Sequence, residues 1–199
     1  MALNQLKKKY TAHQLFESFY KGYVSIPELV RNRRDKIVDS KFIERLMLAT
    51  TEVNGCEICS YAHTHIALKE GFSRDEIHAF LSGSKAYVNE DEAIAILYAQ
   101  HVADTMGHPK SDAYQQLVKV YGEDKAEIIH AAVTVMMMGN VSGIPLSALL
   151  NRIQGKPYAN SSLLYESGML LLQPWLMVIA IPVALMKASS KRIRKQRSL

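Results

Sequence analysis

Three features of this 199-residue chain predict an all-α fold. Apolar residues recur at helical spacing through most of its length, and glycines or Asn-Gly steps close successive runs. No stretch alternates polar with β-branched apolar residues, as a half-buried strand would. The apolar share of 48% and charged share of 22% suit a globular protein with a sizeable core.

The elements follow in order. Residues 3–21 carry Leu6, Tyr10, Leu15, Phe16, Phe19 and Tyr20 in register, predicting a first helix. Pro27 fits the first turn of a short second helix through Leu29 and Val30, where its missing N–H does no harm. Residues 37–53 present Phe42, Ile43, Leu46, Met47 and Ala49 on a helical stripe, which Asn54-Gly55 stops. A helix opens at Cys56, runs to about Glu70 and ends at Gly71; Ser73 and Glu76 have capping-box spacing for the next one. A further helix begins at Asn89, includes Ile94, Leu97, Tyr98 and Val102, and closes near Gly107-His108-Pro109. Two more cover residues 111–121 and 123–138. The expected architecture is six to eight helices stacked as hairpins. Residues 1–160 form the domain, and residues 161–199 an apolar extension with a basic tail.

The net charge of +5 is localised. Of the 24 basic residues, Lys187, Lys191, Arg192, Arg194, Lys195 and Arg197 lie in the tail. The other 18 face 19 acidic residues, so the domain is nearly neutral, and no basic stripe points to nucleic acid. Lys7, Lys8 and Lys9 are not followed by an apolar run, so residues 1–20 do not read as a signal peptide and a cytoplasmic domain is expected. In that compartment a close cysteine pair is more often catalytic or metal-binding than a structural staple.

Both cysteines fall in Cys56-Glu57-Ile58-Cys59-Ser60-Tyr61-Ala62-His63-Thr64-His65. On a helix, Cys56, Cys59 and His63 share one face. A thiol at a helix N-terminus gains acidity from unpaired N–H groups and the helix dipole. Such a thiolate can attack a peroxide or disulfide, a second thiol can close the disulfide, and a nearby imidazole can move the proton. Two other readings stay open on these residues alone. Cys56, Cys59, His63 and His65 could bind zinc, although His65 lies well round the helix from His63. The cysteines could equally be inert packing residues. His78, His101 and His130 read as ordinary helix residues, His13 and His108 as solvent-facing, and Met136-Met137-Met138 as core.

Glu44, eleven intervening residues, then Cys56, Cys59 and His63 reproduce the Glu-x11-Cys-x-x-Cys-x-x-x-His pattern. With it, Val53-Asn54-Gly55 and Ala62-His63-Thr64 resemble the carboxymuconolactone decarboxylase-like superfamily, in particular its AhpD-like alkylhydroperoxidase branch. The resemblance covers about residues 36–106, and more weakly 110–150, where Gly139-Asn140 is similar to the family's closing helix. It implies an all-α fold assembling as a homo-trimer or hexamer. Cys59 would be the peroxide-reactive thiol, Cys56 its resolving partner, and Glu44 with His63 a proton relay. It further implies a hydroperoxide or partner-protein disulfide as substrate and a thiol reductant as electron source. Ile58 departs from relatives that carry a histidine between the cysteines. No glycine fingerprint for a dinucleotide is present, so no cofactor is expected.

Residues 168–186 contain no charge. Nineteen helical residues rise about 28 Å, close to the depth of a bilayer core. Spanning would carry the basic tail away from a cytoplasmic domain, against the positive-inside tendency. Pro174 and Pro182 should interrupt a simple helix, so a hairpin or in-plane anchor over residues 163–199 is expected. A tail buried between subunits is the soluble alternative.

Overall fold

In the computed structural model, residues 4–197 are described, with side chains to residue 188; among them there are seven helices and no strand. The helices are α1 (Ala12–Asp35), α2 (Ser40–Asn54), α3 (Glu57–Lys69), α4 (Arg74–Leu81), α5 (Ala93–Asp104), α6 (Ser111–Ile153) and α7 (Leu163–Arg197). The all-α expectation and the helix number hold.

α6 is the axis of the fold. It packs on α1, α2, α3, α5 and α7, and is therefore apolar on several sides. Ile128, Ile129, Val133, Met136, Met137, Val141 and Ile144 are all buried. Gly122, at φ 76° and ψ 164°, breaks its helical path where the sequence separates residues 111–121 from 123–138. Beyond Gly122 the helix continues past residue 138 to Ile153, through Pro145. The removed N–H costs one backbone bond, and burial on neighbouring helices holds the remainder.

Other boundaries also differ from expectation. Residues 4–11 are not helical, and α1 runs unbroken through Pro27. Its start is set by a capping box that the residue pattern did not expose. Thr11 Oγ1 accepts the Gln14 N–H, and Gln14 Oε1 accepts the Thr11 N–H. α2 begins at Ser40, not residue 37, because Asp39 caps the Lys41 and Phe42 amides while Asn32 bonds both backbone groups of Val38. The helix expected from Asn89 begins at Ala93.

α7 is continuous through Pro174 and Pro182, so the expected interruption, and with it a hairpin, is not what forms. Its inner stripe lies on α1 and α6, with Met169, Ala180 and Ala184 buried. Glu166, fully buried, anchors the first turn to Arg152 of α6 at 2.6 and 2.8 Å. The side chains of Lys191, Arg192, Arg194, Lys195 and Arg197 lie outside the described residues.

Candidate active site

The cysteine pair is placed by a tight turn between α2 and α3. Gly55 ends α2 in the left-handed region, at φ 70°, which its missing Cβ makes accessible. Cys56 follows as the extended N-cap of α3, one position before the helical residue that the sequence suggests. The turn is tied to α6 from below. Asn54 accepts from the Tyr10 hydroxyl at 2.6 Å and donates to Asn140 at 2.9 Å, and Asn140 donates to Thr51 at 3.1 Å. All four side chains are buried, so each of these bonds would be costly to lose.

Cys56 and Cys59 are joined as a disulfide, with Cα atoms 5.3 Å apart. Cys56 has no exposure and Cys59 has 8%, so what access there is belongs to Cys59. The sulfurs press on α6 at Gly143. A Cβ there would lie 2.7 Å from Cys56 Sγ and 2.8 Å from Cys59 Sγ. No larger residue fits without displacing the pair. Cys59 Sγ also sits 3.6 Å from the Gly139 carbonyl oxygen, to which only a reduced thiol can donate.

Ser147 of α6 accepts the Ile58 N–H at 3.1 Å, which satisfies one orphan donor in the first turn of α3. Glu57, beside Cys56, accepts from the Tyr158 hydroxyl and from Asn151. Burial, then the hydrogen bond to Glu57, push the Tyr158 hydroxyl well above its ordinary range, so it stays a donor.

One turn beyond Cys59, His63 Nδ1 is 2.7 Å from Glu44 Oε1 of α2. Glu44 is buried, whereas an isolated glutamate in a helix is usually solvated. A carboxylate only accepts, so an ionised Glu44 takes the Nδ1–H and leaves Nε2 of the neutral ring as the proton acceptor. Glu44 also forms one wall of a groove of about 530 Å³ between α1, α2 and α3, otherwise lined by Leu29, Val30, Ile43, Met47 and Ile66 among others. Neither sulfur lines that groove.

Two contacts link the candidate residues in pairs, the Cys56–Cys59 disulfide and the hydrogen bond between His63 of α3 and Glu44 of α2. Residues 18–101 match the carboxymuconolactone decarboxylase family. The matched stretch contains Glu44, Cys56, Cys59 and His63, and ends before α6. The carboxymuconolactone decarboxylase match does not separate the AhpD-like branch from the others, and no curated protein or solved structure matches the chain.

The remaining sequence candidates are dispersed. His65 is exposed, with its ring edge-on to Tyr61 at 4.6 Å between centroids, and does not converge with His63. Among the described residues, no three His, Cys, Asp or Glu side chains are grouped to hold a metal. His13, His78 and His108 are exposed. His101 accepts the Lys110 N–H, and His130 pairs with the Tyr98 hydroxyl at 2.7 Å. Met136 and Met137 are core. Sequence reasoning missed Gly143, Ser147 and Asn140 as site-shaping residues; only Gly139-Asn140 carried a family signal.

Proposed function

We propose that this protein is an AhpD-like thiol oxidoreductase that reduces hydroperoxides, or a partner protein's disulfide, through Cys59 and Cys56. One observation carries the reading. A bonded cysteine pair at a helix N-terminus is followed, one turn on, by an imidazole held at 2.7 Å by a buried carboxylate. That is a nucleophile, a resolving thiol and an oriented base in one short segment. The greater exposure of Cys59 supports it as the attacking thiol.

In the reduced protein, His63 Nε2 takes the Cys59 proton, and the thiolate attacks the terminal peroxide oxygen, forming an S–O bond as the O–O bond breaks. The alkoxide takes a proton from His63 and leaves as the alcohol, while Cys59 becomes a sulfenic acid. His63, oriented by Glu44, then accepts the Cys56 proton. Cys56 attacks the Cys59 sulfur, the S–O bond breaks, and hydroxide leaves as water with that proton. The disulfide so formed has taken two electrons' worth of oxidation from the peroxide. A dithiol reductant returns two electrons and two protons by exchange. With Ile58 between the cysteines, no second imidazole enters the relay. Assembly as a trimer or hexamer belongs to the same reading.

The test is peroxide consumption by the reduced protein, with trapping of intermediates. Cys59→Ser should abolish turnover, and Cys56→Ser should leave a sulfenic acid on Cys59 that a dimedone-type reagent captures. A Cys56→Ser/Cys59→Ser protein that consumes peroxide and reduces disulfides as fast as wild type ends the proposal.

A further inference from the structure

We infer that the outer face of α7 is a lipid-binding surface, lying in the plane of an acidic bilayer and holding the helical body against it. The inference does not depend on the redox chemistry. Residues 167–186 carry no charged side chain, and the last acidic one before them, Glu166, is turned inward onto Arg152. The inward stripe of α7 is narrow: Met169, Ala180 and Ala184 are buried against the body. Gln173, Leu176 and Val183 are half-buried beside that stripe, and the other residues from Leu171 to Met186 face out. Leu171 is 73% exposed, Trp175 71%, Val178 65% and Leu185 64%, and Leu172, Ile179, Ile181 and Met186 are exposed beside them.

The width of this face decides between occupants. At 100° per residue, the exposed positions from Leu171 to Met186 sweep roughly 220° of the helix circumference. A second helix would cover a stripe of about 100°, leaving the flanks in water. A bilayer interface covers the whole arc. Packing along α1 and α6 rules the body out of a simple crossing, because α7 could not enter a membrane alone without shedding both contacts. An in-plane helix keeps them and immerses only its free side. Residues 187–199, which follow the apolar face in sequence, carry six bases and no acid; the first, Lys187, lies over the Tyr20 ring at 4.2 Å. That run of bases in the sequence complements anionic headgroups, and an in-plane helix does not require it to cross the bilayer.

Trp175 is the chain's only tryptophan and sits within this face, so its emission reports occupancy directly. Full-length protein is mixed with vesicles of phosphatidylcholine plus phosphatidylglycerol, and with phosphatidylcholine alone. The expected result is a blue shift of Trp175 emission and co-flotation, stronger with the anionic lipid. Leu171→Glu/Val178→Glu, at two exposed positions, should keep the thermal melt yet lower partitioning by at least about tenfold. Unshifted emission with no flotation overturns the inference, as does a double variant that floats like wild type. Emission already blue in buffer and indifferent to vesicles, from an oligomer that the double variant splits, would assign the face to a second copy instead.

Discussion

His63 Nδ1 stands 2.7 Å from Glu44 Oε1, joining the helix that begins at the cysteine pair to the helix before it across nineteen residues of sequence. The carboxylate fixes which imidazole nitrogen carries hydrogen, and so which one is open to a thiol proton. Glu44→Gln can keep a hydrogen bond but not the charge that stabilises an imidazolium. Peroxide consumption at neutral pH should fall about 100-fold, the usual worth of a positioned base, with a smaller change for Glu44→Asp. A Glu44→Gln enzyme at wild-type rate would remove the relay from the mechanism.

Gly143 makes a packing prediction with an internal control. Alanine at 143 drives a methyl into both sulfurs, whereas at Gly139, one turn earlier, an added Cβ meets nothing within 4 Å. Helix propensity alone favours alanine by about 1 kcal/mol at either position. Gly139→Ala should therefore be neutral or stabilising. Gly143→Ala should lose about 1–3 kcal/mol through overpacking and alter thiol reactivity. Denaturant melts and alkylation rates of the two variants decide the matter; equal behaviour would mean that α6 does not shape the cysteine site.

Arg45, next to Glu44 in sequence, turns the other way and grips Glu92 through two hydrogen bonds, with Glu76 at 3.5 Å. Arg45 and Glu92 are both buried, so the pair fastens the segment before α5 onto α2. Arg45→Met leaves Glu92 charged without its partner, and a loss of about 3–5 kcal/mol is expected in urea unfolding. Arg45→Met/Glu92→Leu should recover much of that loss, because the stranded charge is gone. If the double variant is as unstable as the single one, the pair does more than neutralise itself.

The all-α class and the grouping of Cys56, Cys59 and His63 were legible in local spacing, whereas Glu44 stood out only through the family pattern. Periodicity marks the helices, and Glu44, Cys56, Cys59 and His63 sit within one short window. What stayed hidden is tertiary. Gly143, Ser147 and Asn140 reach the site from α6, some eighty residues on, and nothing in a lone glycine or serine announces a sulfur neighbour. Pro27, Pro174 and Pro182 misled for a related reason, and Pro145 behaves as they do. Pro27, Pro145, Pro174 and Pro182 each remove one backbone bond, yet α1, α6 and α7 continue because packing on neighbours supplies more than the bond removes. The buried grip of Arg45 on Glu92 was equally invisible, since forty-seven residues separate two charges that otherwise look solvated.

Glu166 makes the attachment of α7 sensitive to acid. The hydrogen bond from Arg152 holds its carboxyl below the ordinary value of 4.5, against burial, which pushes upward, and with help from the Ser161 hydroxyl at 2.7 Å. A carboxyl whose folded value is depressed contributes stability fully above its unfolded value, and loses it as pH falls through the folded one. The contribution is thus intact at neutral pH and disappears on acidification below about 4.5. Amide exchange in the first turns of α7 should accelerate over that window, ahead of exchange in α6. Glu166→Gln removes the titrating group, so its α7 exchange should already be fast at neutral pH and nearly flat into acid. A wild-type profile as flat as the variant's would show that the Arg152 contact does not hold this helix down.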